Sequence, residues 1–184
     1  MEKFWKKGMS FESYIGGIQS KIEAQENNEL ADKQLLTIQR AHHIMENYIP
    51  DLKQQKKLEE KNFHGRILII AEDWCGDCSQ AIPVIEKFFD SRNPLKILYR
   101  NENPDLMRLF LTNGNEAIPI VIFLDENFNL ISHWGPRTRH GLELLAKFKH
   151  DPDQYPRSVF LNDLQVYYER NSGFDIVEEI LEIL

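Results

Sequence analysis

The chain has only two cysteines among 184 residues, too few for a disulfide framework to substitute for a hydrophobic core. No apolar run approaches the roughly 20 residues that a membrane-spanning helix needs. The N-terminal stretch MEKFWKKGMSFESYIGGIQ carries lysines but no continuous apolar centre and no small-residue cleavage site, so no secretion signal is expected. Positive charge is in deficit: 22 Lys and Arg against 29 Asp and Glu leave a net charge of −7. That balance argues against nucleic acid and against an anionic membrane surface as partners. Internal repeats and low-complexity tracts are also missing. What remains is a chain of one-domain length, 42% hydrophobic, with 11 Phe and 3 Trp to fill a core, and a cytoplasmic location is the default expectation.

The first sixty residues read as helical. Leu35, Ile38, Met45, Tyr48 and Leu52 fall on a helical period with Leu36 and Ile49 beside them, which predicts a buried apolar face. Pro50 ends this helix or begins the next, and PDLKQQKKLEEK reads as a solvated helix. From Gly65 the pattern changes. RILIIA (66–71) has the continuous apolar character of a strand buried on both faces. Ile82, Ile85, Phe88 and Phe89 then recur at helical spacing until SRNP. LKILY (95–99) predicts a second strand. NPDLMRLFLTNG predicts a helix with Asn103 as N-cap, Pro104 in its first turn and Gly114 past its end. IPIVIFLD and LISHW predict two more strands, joined as an antiparallel hairpin by DENFN. Three helical segments follow. The order βαβαββα, with helices before and after it, predicts an α/β fold.

Both cysteines stand in AEDWCGDCSQAIP (71–83), between the first strand and the helix after it. Cys75 at a helix start lies near unpaired backbone N–H groups and the positive end of the helix dipole. Both lower a thiol's pKa, and a second thiol three residues on lowers it further by donating to the first thiolate. A reactive thiolate with a neighbouring partner is a dithiol/disulfide couple, suited to reducing or forming another molecule's disulfide. A lone C-x-x-C is also half of a zinc site. Here no second C-x-x-C exists, and His42, His43, His64, His133, His140 and His150 show no x₃₋₅ pairing with the motif. Two inert core cysteines are the other alternative; their place on a strand-to-helix turn argues against it.

At these residues the chain resembles the thioredoxin family. WCGDC, with Trp74 before the first cysteine, is similar to that family's active-site motif. Pro83, eight residues past Cys75, matches the helix-kinking proline. Ile118-Pro119, 44 residues past Cys75, matches the cis-proline loop, and Gly135 matches the glycine on the far wall of the substrate groove. The resemblance implies a thioredoxin-like fold: a central mixed sheet of about four strands flanked by helices. The whole chain, 1–184, then reads as a single thioredoxin-like domain. A helical N-terminal extension (1–61) precedes the core (62–150), and C-terminal helices (151–184) follow it. It further implies a protein-disulfide reductase with Cys75 as attacking thiolate and Cys78 as resolving thiol. Trp74, Ile118, Pro119 and Gly135 would shape the groove. No organic cofactor and no metal are implied. The partners would be disulfide-bearing proteins and an electron-donating reductase or small thiol.

The chain also departs from that pattern. The family's buried aspartate, six residues before the first cysteine, is Ile69 here, which removes the usual proton acceptor for the second thiol; Glu72 and Asp73 are the nearby acids. The first strand and helix of full thioredoxins have no recognisable counterpart. Asp77 and Gly76 lie between the cysteines. An exposed Asp77 about 7 Å from the thiolate would oppose it by roughly 0.6–1.2 kcal/mol at an effective dielectric of 40–80, or about half to one pKa unit. It would tune the thiol without abolishing its reactivity. The three acids Glu72, Asp73 and Asp77 disfavour an anionic tripeptide, hence a glutaredoxin-like, glutathione-dependent activity. A redox-sensing or partner-binding module is the non-enzymatic alternative. Arg137, Arg139 and His140 read as a solvated turn, and NGNEA (113–117) is not a phosphate cradle because it lacks the Gly-Lys-Ser/Thr ending.

Overall fold

The chain builds its centre from four short strands, of which the two central ones are apolar and buried on both faces. In the computed structural model, which describes residues 1–24, 29–90 and 92–184, these are β1 (Arg66–Ala71), β2 (Leu95–Tyr99), β3 (Ile120–Leu124) and β4 (Leu130–Trp134). The sheet order is β2-β1-β3-β4. β1 pairs parallel with β2 and antiparallel with β3, and β3 pairs antiparallel with β4. The expected mixed sheet and closing hairpin are present. The hairpin turn is stitched by Asp125, whose Oδ1 accepts from the backbone N–H groups of Asn127 and Asn129, each at 2.8 Å. Every residue of β3 is buried, whereas β4 is mostly exposed.

Helices cover the sheet. Before it come α1 (Glu2–Lys7), α2 (Phe11–Glu23), α3 (Ala31–Asn47) and α4 (Leu52–Lys61). Within it are α5 (Gly76–Phe89) and the single turn α6 (Pro104–Met107); after it come α7 (Arg139–His150), α8 (Arg157–Asn171) and α9 (Phe174–Ile183). α5 packs along α3 and also meets α9, and α9 meets α4 and β4. One hydrophobic core runs through all of these, from Phe4 to Leu181. Fully burying side chains such as Phe89 and Phe123 contributes about 1.5–3 kcal/mol each.

Four expectations need correction. The buried face of α3 is Gln34, Thr37, Ile38 and Ala41, while Leu35, Leu36, Ile49 and Leu52 are exposed. α4 starts after Pro50, with Asp51 Oδ1 capping the N–H groups of Lys53 and Gln54 at 2.9 and 3.1 Å. It is not wholly solvated either, since Gln54 and Leu58 are buried. The segment after Asn103 is a short α-turn followed by a 3₁₀ turn, Arg108–Phe110, not one helix reaching Gly114. The Asn103 side chain makes no cap bond there; its Nδ2 donates back to Tyr99 O at 2.9 Å. Finally, backbone pairing does occur before residue 66. Met9 exchanges hydrogen bonds of 2.9 and 2.8 Å with Ile97, which partly covers the β2 edge of the sheet.

Candidate active site

β1 ends at Ala71, and the chain crosses Glu72, Asp73 and Trp74 to reach Cys75, the N-cap of α5. The backbone of Cys75 is extended (φ −85°, ψ 118°), and its sulfur accepts from the Cys78 N–H at 3.5 Å. The thiol thus occupies the place of a capping side chain, facing the free N–H groups of a helix start. Both cysteines are free. Cys75 keeps 8% of its surface exposed and Cys78 none. The Cys75 pKa lies below the ordinary thiol range: the Cys78 thiol donates to it, and the backbone N–H groups of Cys78 and Asp77 add to this against burial and the Asp77 charge. Cys78 is pushed the other way, mainly by burial and by its role as donor to Cys75. The motif therefore sets a more acidic thiol at the helix start against a buried partner that holds its proton more tightly.

The N-terminal helices hold the loop that delivers this thiol. From α2, the Tyr14 hydroxyl donates to Glu72 O at 3.1 Å, and Lys21 forms a 2.7 Å ion pair with Asp73. From α3, the Thr37 hydroxyl donates to Asp73 O at 2.8 Å. Glu72 and Asp73 are consequently both buried. The Glu72 Oε1 accepts from Asn101 N at 2.8 Å, and burial raises its pKa. Glu72 and Asp73 thus do not face solvent.

The opposite wall is built by two loops. Ile118–Pro119 is a cis peptide bond, as the resemblance implied, and so is Gly135–Pro136, which the sequence reading did not foresee. The Cys75 thiol lies 3.6 Å from Ile118 O, within reach to donate to it. Gly135 has φ 120°, and a Cβ there would lie 2.2 Å from Pro119 O. Only glycine fits so close to that carbonyl. Trp74 is half-buried beside them, with the Arg100 guanidinium 5.4 Å from its ring. The structure thus brings Cys75, Cys78, Trp74, Ile118, Pro119 and Gly135 into one place. Gly135→Ala is expected to destabilise the fold by at least about 1–3 kcal/mol, the usual cost of such a backbone at a non-glycine residue. The check is a urea-unfolding midpoint, which should fall; an unchanged midpoint would mean that the two loops part without cost.

Asp77 is not the exposed neighbour that the motif suggested. It is buried, with Oδ1 accepting from the Tyr168 hydroxyl at 2.8 Å and Oδ2 in a 2.5 Å ion pair with Arg137. Arg137 belongs to the loop after Gly135, so it is not part of a solvated turn. Its neighbours on that turn behave otherwise: Arg139 pairs with Glu179 and Glu182, and His140 is exposed against Tyr167. Gly76 is exposed, and the Arg40 guanidinium of α3 lies 3.6 Å from where a Gly76 Cβ would be. Tyr14, Lys21, Thr37, Arg40 and Tyr168 were all missed by reasoning from the sequence, and Arg137 was misread as solvated. No local pattern marks them, because each acts across elements far apart in the chain.

The sequence profile of the family described as Thioredoxin matches residues 23–149. The chain belongs to the thioredoxin family. Among solved structures, a Pseudomonas aeruginosa protein of unknown function is similar at 21% identity and TM-score 0.61, covering 98% of this chain and 93% of its own. An HIV epitope-scaffold is similar at 20% identity and TM-score 0.65, covering 99% of this chain and 95% of its own. At such identities the likeness concerns the fold. Among curated proteins no match is found.

Within this thioredoxin-family frame, Ile69 is a fully buried residue of the central strand, between Ile97 and Val121. The Glu72 and Asp73 side chains, the nearby acids, turn to Asn101 and Lys21. The adjacent histidines of α3, His42 and His43, are both exposed. Among the described residues, no three His, Cys, Asp or Glu side chains cluster as a metal site, and no helix is long and apolar enough to cross a membrane.

Proposed function

We propose that this thioredoxin-family protein is a thiol–disulfide oxidoreductase that reduces protein or small-molecule disulfides through Cys75 and Cys78, in a reducing compartment such as the cytoplasm. The observation that carries this reading is the asymmetry of the pair: a thiol with lowered pKa at a helix N-cap, backed by a fully buried, protonated thiol. The Cys75 thiolate attacks one sulfur of a substrate R–S–S–R′. A Cys75–S–S–R bond forms, the substrate bond breaks, and R′–S⁻ leaves. With Ile69 in place of a carboxylate, the leaving thiolate itself is the available acceptor for the Cys78 proton. The Cys78 thiolate then attacks Cys75 Sγ, closing the Cys75–Cys78 disulfide and releasing R–S⁻, which takes a proton from solvent. Two electrons pass to the substrate, and an external dithiol or reductase returns them.

Trp74, Ile118, Pro119 and Gly135 form the groove that receives the substrate chain, with extended backbone pairing beside Ile118 as the mode of recognition. The objection to glutathione drawn from three nearby acids is weakened. Asp73 is paired with Lys21, Asp77 with Arg137, and Glu72 is buried. A redox-sensing role is the second reading, favoured by the direct bonds from α2, α3 and α8 to the motif. The test is equilibration across dithiothreitol ratios with quantitative thiol labelling. Both thiols should disappear together in one two-electron transition. A cysteine that stays labelled at every ratio would contradict the reading.

A further inference from the structure

A carboxylate between two redox cysteines is an obstacle to a thiolate, because its charge opposes the one that Cys75 must acquire. The structure answers this with two residues from outside the motif. Asp77 is buried, and both of its oxygens are engaged: Oδ1 by the Tyr168 hydroxyl of α8, Oδ2 by the Arg137 guanidinium. Arg137 is anchored in the loop that also carries Gly135, the residue packed on Pro119, so one short segment shapes the groove and neutralises the acid. Tyr168 is itself buried, and burial together with the Asp77 charge raises its pKa well above the phenol range, which keeps it a donor at all working pH. The other groups facing this cluster are Cys75 and Cys78 at the start of α5, Arg40 on α3 and Tyr167 on α8, with Glu169 of α8 close to Arg40.

We propose that Arg137 and Tyr168 are positioning residues for the redox couple: by holding Asp77 buried and charge-balanced, they let Cys75 ionise and tie its reactivity to the groove loop and to α8. The inference rests on the oxidoreductase reading for its purpose, but its test does not need turnover. An uncompensated buried carboxylate about 7 Å from the sulfur, at an effective dielectric of 20–40, is equivalent to about one to two pKa units. The Arg137 ion pair offsets part of that opposition. Because the pair is buried, added salt screens it little, unlike the exposed aspartate that the motif alone suggested. A Cys75 thiolate stabilised in this way favours the reduced form and makes the couple more oxidising.

The experiment is the Cys75 pKa, read from thiolate absorbance and alkylation rate against pH, in single and paired substitutions. Arg137→Gln should raise it by about one to two units, and Asp77→Asn should lower it. The double variant should return to within about half a unit of the starting protein, because the two shifts oppose each other. Arg137→Lys should retain the original value, and Tyr168→Phe should raise it by a few tenths. The reduction potential should follow, falling by about 30 mV for each tenfold rise in the thiol's proton affinity at pH above its pKa. If Arg137→Gln does not fold, the Asp77→Asn and Tyr168→Phe shifts, opposite in sign, carry the same test. An unchanged pKa in Arg137→Gln or Asp77→Asn overturns the proposal. So does Arg137→Lys behaving like Arg137→Gln, since charge would not be the agent. Loss of the two-electron transition with these shifts intact would instead fault the oxidoreductase reading alone.

Discussion

Cys75→Ser is expected to lower dithiothreitol-driven insulin reduction by at least about a hundredfold, to the rate of dithiothreitol alone. Of the two cysteines, Cys75 is the one with exposed surface, and its nucleophilicity depends on a thiolate that an alcohol cannot supply at neutral pH. A hundredfold loss corresponds to about 2.7 kcal/mol of transition-state stabilisation. The substitution is also unusually clean. Serine is a preferred N-cap, so it replaces the sulfur as acceptor of the Cys78 N–H, and the start of α5 is preserved. Loss of turnover with an unfolding midpoint within about 1 kcal/mol of the original would isolate chemistry from stability. Retained turnover would mean that the reducing thiol lies elsewhere.

The parts of this fold that were legible in the sequence are those whose cause is local. β1 showed itself because RILIIA is apolar on both faces, and it is buried on both. α5 showed itself because Ile82, Ile85, Phe88 and Phe89 share a face, and all four are buried. The Cys75 thiol lies at Ile118 O and Gly135 at Pro119 O; these positions were singled out by the resemblance to a family, not by any local pattern.

What was hidden depends on side chains meeting across long stretches of chain. Tyr168 and Asp77 are 91 residues apart and bond at 2.8 Å; nothing around either residue encodes the other. The face of α3 misled for a related reason. Its leucines suggested the core, yet Thr37 points inward because its hydroxyl satisfies Asp73 O, which leaves Leu35 and Leu36 outside. The segment after Pro104 failed differently. A helix start and a distant glycine bracketed it, but the chain tightens into a 3₁₀ turn as Phe110 packs edge-on against His133, 5.1 Å between ring centres. The acids were misjudged because composition counts charge without its partners. Lys21 and Arg137 cancel two of the three.

Cys78→Ser should have the second large effect, converting a transient intermediate into a stable one. The serine hydroxyl can still donate to Cys75, so the first attack proceeds, but it cannot displace the substrate from the mixed disulfide. The adduct is expected to rise from undetectable in the unsubstituted protein to near one equivalent, while turnover falls as far as in Cys75→Ser. Full burial of Cys78 adds to this, because water and small thiols have little access from that side. The decisive measurement is intact-mass and peptide-mapping analysis of Cys78→Ser after incubation with a disulfide peptide. The account predicts one peptide per chain, linked through a disulfide to Cys75 and released by dithiothreitol. No adduct, or one that clears as fast as in the unsubstituted protein, would contradict Cys75 as the attacking thiolate with Cys78 as its resolving partner.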